Sequence, residues 1–166
     1  RVIQKEMQRD QKLWRDDAVD VVLDTFDDDR NAYLFETNPN GARTDALITD
    51  EGRDFNLDWN GVWEVAARKT DQGWFAEMAI PFTTLRFDPK ATAWGFNVLR
   101  YVRRRAEQSF WAPILLDADV KRVSQYGRLT GIAGVQEGWN LRVKPFVNGS
   151  LKSSLTPSGT YADDDS

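Results

Sequence analysis

A tryptophan followed closely by carboxylates is the first arrangement in this chain that could do chemistry: Trp14 stands beside Asp16, Asp17 and Asp20. Saccharides present flat C–H faces and a rim of hydroxyls, so a sugar site wants an aromatic platform with acids, amides or arginine at its edge. Trp59, between Asp58 and Asn60, has the same character. Core packing is the competing use of any one tryptophan, and Trp63, Trp74, Trp94 and Trp111 fall in strand-like runs where packing is the expectation.

Carboxylates offer two other chemistries. Glycoside hydrolysis needs two at a defined separation, and Glu64 and Glu77 share a face only if the register of their hairpin allows it; salt-bridging to nearby Arg or Lys is the plainer reading. The acidic turn Asp27-Asp28-Asp29 and the pair Asp16-Asp17 present oxygen ligands suited to calcium, without the glycine and distal glutamate of a helix-loop-helix site. A solvated turn is the competing account, and calcium is the one ion worth titrating. Arg100, Arg103, Arg104 and Arg105 form a basic cluster that suits a phosphate or an acidic sugar, with pairing to local acids as the alternative.

The composition narrows the field. Among 166 residues there is no histidine and no cysteine, which removes the usual zinc ligands, the commonest general base, Ser/His triads and disulfides. Met7 and Met78 are the only methionines, so the common axial ligands of heme are nearly absent and heme is discounted. Acids outnumber Lys plus Arg by 26 to 22, which argues against a nucleic-acid partner. No window approaches the run of about 18 apolar residues of a membrane helix.

The elements that would position these residues are strands. Residues 18–26 put Val19, Val21 and Leu23 on one face and Asp20 and Asp24 on the other, which reads as a strand with one buried and one wet side. A turn at residues 27–31 and a strand at 32–37 complete a hairpin. Asn38-Pro39-Asn40-Gly41 is a strong turn, residues 42–49 alternate again, and residues 50–61 read as a polar loop that carries Phe55, Leu57 and Trp59. Residues 62–69 and 74–80 flank Asp71-Gln72-Gly73, whose glycine suits a tight hairpin. Pro81 closes that strand and residues 82–85 form a helical turn. Further strands fall at 94–103, 108–111 and 125–130, while residues 1–12 read as a strand remnant or a short helix. Short strands punctuated by Gly, Asn, Asp and Pro predict an all-β antiparallel β-sandwich.

Several of these segments resemble family 9 carbohydrate-binding modules in their order along the chain: residues 14–24, Gly73-Trp74-Phe75-Ala76-Glu77-Met78-Ala79-Ile80-Pro81-Phe82, Trp94-Gly95-Phe96-Asn97 and Ser124-Gln125-Tyr126-Gly127-Arg128-Leu129. Asp24-Thr25-Phe26, Asn31-Ala32-Tyr33, Asn38-Pro39-Asn40-Gly41-Ala42 and Leu85-Arg86-Phe87 are similar to a bacterial group that joins such a module to a large C-terminal domain of unknown function, thought to be an outer-membrane β-barrel. The resemblance spans residues 16–135.

It implies a module at residues 1–135 that lacks its first strands, followed at 136–166 by the start of another domain or a loose tail, with residues 139–151 as a first barrel strand. It also implies a site. Trp14 stands where a tryptophan stacks on the glycan, Asp20 where an acid bonds hydroxyls and Asn38 where an asparagine contacts sugar. Glu36, however, occupies the place of an expected arginine, and residues 117–124 hold no second tryptophan to close the clamp. The expected function is a non-catalytic carbohydrate-binding or accessory module of a periplasmic or outer-membrane protein of the bacterial envelope, serving carbohydrate catabolism. The partners implied are a saccharide and the C-terminal barrel of the same chain. Two alternatives stand beside it: a structural module that orients or plugs the barrel and binds no sugar, and part of a glycoside hydrolase whose catalytic residues lie elsewhere.

Overall fold

A computed structural model describes residues 2–10, 13–115, 118–132 and 134–135, apart from the side chain of Trp14. The chain is all-β and antiparallel, and among the described residues helical content is limited to single 3-10 turns. Strands β1 (Ala18–Asp24), β2 (Ala32–Thr37), β3 (Arg43–Thr49) and β4 (Asp54–Asn56) form a meander that continues on its other side through β7 (Ala93–Val102). The far edge of β7 is shared: β8 (Glu107–Phe110) pairs with its second half and β9 (Gly127–Thr130) with its first. A second sheet consists of β5 (Glu64–Thr70) and β6 (Gly73–Ala79), which pair only with each other among the described residues. The expectation of a sandwich is met as two sheets of unequal size.

Local sequence explains much of this. Thr70 pairs with Gly73 across the two-residue turn Asp71-Gln72, and Gly73 takes a φ of 151° that residues with a Cβ avoid. Pro81, which has no N–H for the ladder, precedes a 3-10 turn at Phe82–Thr84. The stretch read as a polar loop contains β4, which pairs with the end of β3 and uses Phe55 and its neighbours as an edge strand. Residues 2–10 form neither strand nor helix. They are tied down instead by Asp16, which accepts the backbone N–H groups of Lys5 and Glu6, and by Asp17, which accepts that of Ile3.

Both faces of the large sheet are covered. Leu23, Phe35 and Trp94 meet Trp63, Leu85 and Phe87 beneath the β5–β6 hairpin. On the opposite face Val22, Leu34, Ala46, Ile48 and Leu99 are covered by Val120, Val123 and Tyr126, which belong to the segment between β8 and β9. The alternation of β1 is present as expected, yet its acidic side is not wet: Asp20 is 5% exposed and Asp24 is fully buried. A strap without secondary-structure periodicity covers that side, which is why the strand's own pattern does not reveal it.

The tryptophans divide. Trp63 and Trp94 fill the core, Trp74 is half-buried, and Trp111 is 60% exposed rather than packed inside. Its indole lies against Gly127, where a Cβ would fall 2.4 Å from the ring, and edge-on to Phe96 at 5.3 Å. No helix among the described residues is long and apolar enough to cross a membrane. The expected barrel strand at 139–151, and the whole of 136–166, lie outside the described residues.

Candidate functional site

The face of the large sheet that carries Asp20 also carries a cavity of about 470 Å³. Register builds its floor. Asp20 on β1 lies directly opposite Glu36 on β2, and Glu36 lies opposite Thr44 on β3, so three polar side chains stand in a row across neighbouring strands. On the other flank of β1, Tyr101 pairs with Ala18 and with Gln108 of β8, which brings the phenol and carboxamide to the same face. Gln108 Nε2 donates to the Tyr101 hydroxyl at 2.9 Å.

The rim comes from segments distant in sequence. Phe55 and Leu57 contribute apolar surface from β4 and the turn after it, and Asp119, Val120 and Lys121 contribute from the strap. Lys121 Nζ sits 3.0 Å from Asp119 and 5.4 Å from the centroid of the Phe55 ring, so its charge is held at the mouth. Arg103, just beyond β7, lines the cavity too, with its backbone N–H bonded to Asp17 at 2.7 Å.

The electrostatics of the floor are unusual. Asp20 Oδ1 is buried and has no hydrogen-bond partner. Burial pushes the Asp20 carboxyl well above its ordinary range, and the nearby Glu36 adds to the effect. Burial, helped by Asp16, raises Glu36 to about 7. Tyr101 is raised as well, first by burial and then by the charges of Asp20 and Glu36. No Arg or Lys forms an ion pair with either carboxyl among the described residues. Two acids side by side under such conditions resist ionising together.

Of the residues singled out from sequence, Asp20 lines this cavity. Trp14 belongs to the 3-10 turn Leu13–Arg15 that leads into β1, and its neighbour Leu13 lines the cavity; the Trp14 side chain lies outside the described residues. Asn38 is fully buried. Its Nδ2 donates to Glu6 O and Asp16 Oδ2, each at 2.8 Å, and its Oδ1 accepts the N–H groups of Asn40 and Ala42, each at 3.0 Å. Those bonds use its capacity in closing the β2–β3 turn. Glu36, Tyr101 and Gln108 were not among the sequence candidates. Glu36 stood out only as an acid where the resemblance calls for arginine, while the other two reach the site through cross-strand register.

The remaining candidates are placed elsewhere. Asp24, Asp27 and Asp29 bring carboxylate oxygens within 4.8 Å of one another. Asp24 already accepts the N–H groups of Phe26, Asp28 and Asp29, and both oxygens of Asp27 are held by the Arg128 guanidinium. Glu64 and Glu77 do share a face of the hairpin, since Glu64 pairs with Ala79 and Ala66 with Glu77, but that face is exposed. Arg103 and Arg104, with Arg15 and Lys5, line a second cavity of about 670 Å³ against the N-terminal segment. No protein-family model matches this chain, and no curated protein matches it either.

Proposed function

We propose that the chain is a non-catalytic carbohydrate-binding module of a periplasmic or outer-membrane protein, and that its saccharide enters the cavity over Asp20 and Glu36. One observation carries the reading: a buried carboxylate oxygen, Asp20 Oδ1, stands without a donor at the floor of that cavity. Such a group is costly to leave unpaired, and a sugar hydroxyl supplies the missing donor. The mixture of Tyr101, Phe55 and Leu57 with Gln108, Thr44 and Arg103 suits a ring with apolar faces and a polar rim. The resemblance of residues 16–135 to family 9 carbohydrate-binding modules supports the same choice of ligand, and the resemblance to the bacterial group with a barrel-like C-terminal domain supports the envelope location.

The acids are read as binding groups. They project from adjacent strands of one sheet face, so a ligand lies over both. A glycosidase needs its carboxyls to flank the scissile bond.

Isothermal titration against a panel of neutral, acidic and amino oligosaccharides tests the proposal. Wild type gives heat with at least one class; Asp20→Asn weakens that binding about three- to tenfold, as expected for the loss of one buried hydrogen bond. Trp14→Ala tests the stacking role assigned by resemblance. Absence of heat with every sugar ends the carbohydrate reading.

A further inference from the structure

We infer that the saccharide taken by this cavity bears a primary ammonium group, seated between Asp20 and Glu36. The inference deepens the carbohydrate reading and rests on it. Its basis is the composition of the floor. Two carboxyls face each other in direct register across β1 and β2, one of them buried with an unpartnered oxygen, and neither is neutralised by a described ion pair. A neutral sugar satisfies the orphan oxygen but leaves two acids adjacent. An ammonium donates up to three hydrogen bonds and supplies the countercharge, so it satisfies both at once.

The other charged and titratable groups around the pair allow this. Asp119 and Lys121, on the strap, are engaged with each other at 3.0 Å. Asp16 adds negative potential at Glu36, and burial followed by the charges of Asp20 and Glu36 raises the Tyr101 ionisation further from its ordinary value. Among the described residues Arg103 is the one guanidinium lining the cavity; it stands past the end of β7, where its backbone N–H is bonded to Asp17. The described lining thus carries three acids, Asp20, Glu36 and Asp119, and two bases, Arg103 and Lys121.

Proton linkage gives a signature that simple stickiness lacks. With Glu36 titrating at about 7, the free site is protonated at about pH 6, whereas an amine with a pKa near 8 is charged there. Seating the ammonium favours the charged carboxylates and therefore releases protons.

The test compares partly deacetylated glucosamine oligomers with their fully N-acetylated counterparts by titration calorimetry at about pH 6, in buffers of different ionisation enthalpy. The expected result is about ten- to hundredfold tighter binding of the amine-bearing oligomer, accompanied by proton release that the acetylated one does not show. Glu36→Gln should abolish the proton release and bring the two oligomers to equal affinity. The replacement keeps the shape of the side chain and removes one of two adjacent acids, and a thermal melt of the variant verifies that it folds. Equal affinity for the two oligomers overturns the inference and leaves the carbohydrate reading standing. Binding by neither overturns both. Spermidine serves as the non-sugar amine: heat with it and none with any saccharide likewise overturns both, by showing an amine site that does not read sugar.

Discussion

Asn38 Nδ2 donates to Asp16 Oδ2 at 2.8 Å, joining the turn after β2 to the entrance of β1 by a bond between two fully or almost fully buried side chains. The same Asp16 carboxylate accepts the Lys5 and Glu6 N–H groups, so the contact also anchors the N-terminal segment. Asn38 is therefore a structural hub beside the cavity. Its replacement acts on stability first.

Asn38→Ala leaves Asp16 short of a donor and strands the N–H groups of Asn40 and Ala42 that Oδ1 accepted. The expected loss is about 2–4 kcal/mol, read as a lower urea midpoint with an unchanged slope. Asn38→Asp sets a second carboxylate against Asp16 and should be at least as damaging. A variant as stable as wild type would show that water replaces these bonds without cost.

The Asp20–Glu36 pair makes stability fall with rising pH. Both carboxyls are raised in the folded chain, so the native state holds protons that the unfolded chain releases sooner. The contribution of Glu36 is whole below its ordinary 4.5 and is lost as pH rises through about 7, and Asp20 acts in the same direction. The double variant Asp20→Asn, Glu36→Gln escapes this loss. Its melting temperature should match wild type near about pH 4 and exceed it at about pH 8, by a margin worth about 1–3 kcal/mol after allowing for solvent at the partly exposed Glu36. A difference that does not grow with pH would mean that the two acids are not desolvated.

Gly95 of β7 lies opposite Asp24 of β1, and a Cβ there would stand 2.8 Å from the Asp24 Cβ. Asp24 is fully buried and its carboxylate holds the turn from Phe26 to Asp29, so it has little room to yield. Gly95→Ala should cost about 1–3 kcal/mol through overpacking, measured by chemical denaturation. A neutral substitution would mean that the strand pair can separate locally.

Calcium should have little effect on the wild-type fold. The three acids near Asp24 have the spacing for an ion, but Asp24 is occupied by backbone donors and Asp27 by Arg128. Exchange of EDTA for millimolar calcium should move the melting temperature by less than about 1 °C, whereas Arg128→Ala, which frees Asp27, should become calcium-responsive. A shift of several degrees in the wild type would show that the ion displaces the guanidinium.

Sequence alone determined the strands and most of the turns. The alternation in residues 18–24, the unbroken run 32–37 and the Asp71-Gln72-Gly73 turn each name an element that the fold contains, because a strand's period and a turn's dihedral demands are local properties. The all-β class follows from them. Asp20 was legible as a candidate because it follows closely on Trp14 and stands where the resemblance places an acid that bonds hydroxyls.

Tertiary structure decided the rest. Whether the acidic side of β1 faced water depended on a strap about a hundred residues further on, which buries Val120 and Val123 against it and has no period to announce the contact. The opposition of Asp20 and Glu36 is a matter of register, where a slip of one residue would send Glu36 to the other face. Asn38, expected as a turn residue and a sugar contact, is instead a buried hub, because the N-terminal segment closes over it. Trp111, read as core, stayed exposed because β8 ends just before it and its ring rests on the edge at Gly127. Local chemistry set which residues could form strands and turns, and only the packing of distant segments set which of their side chains met in one cavity.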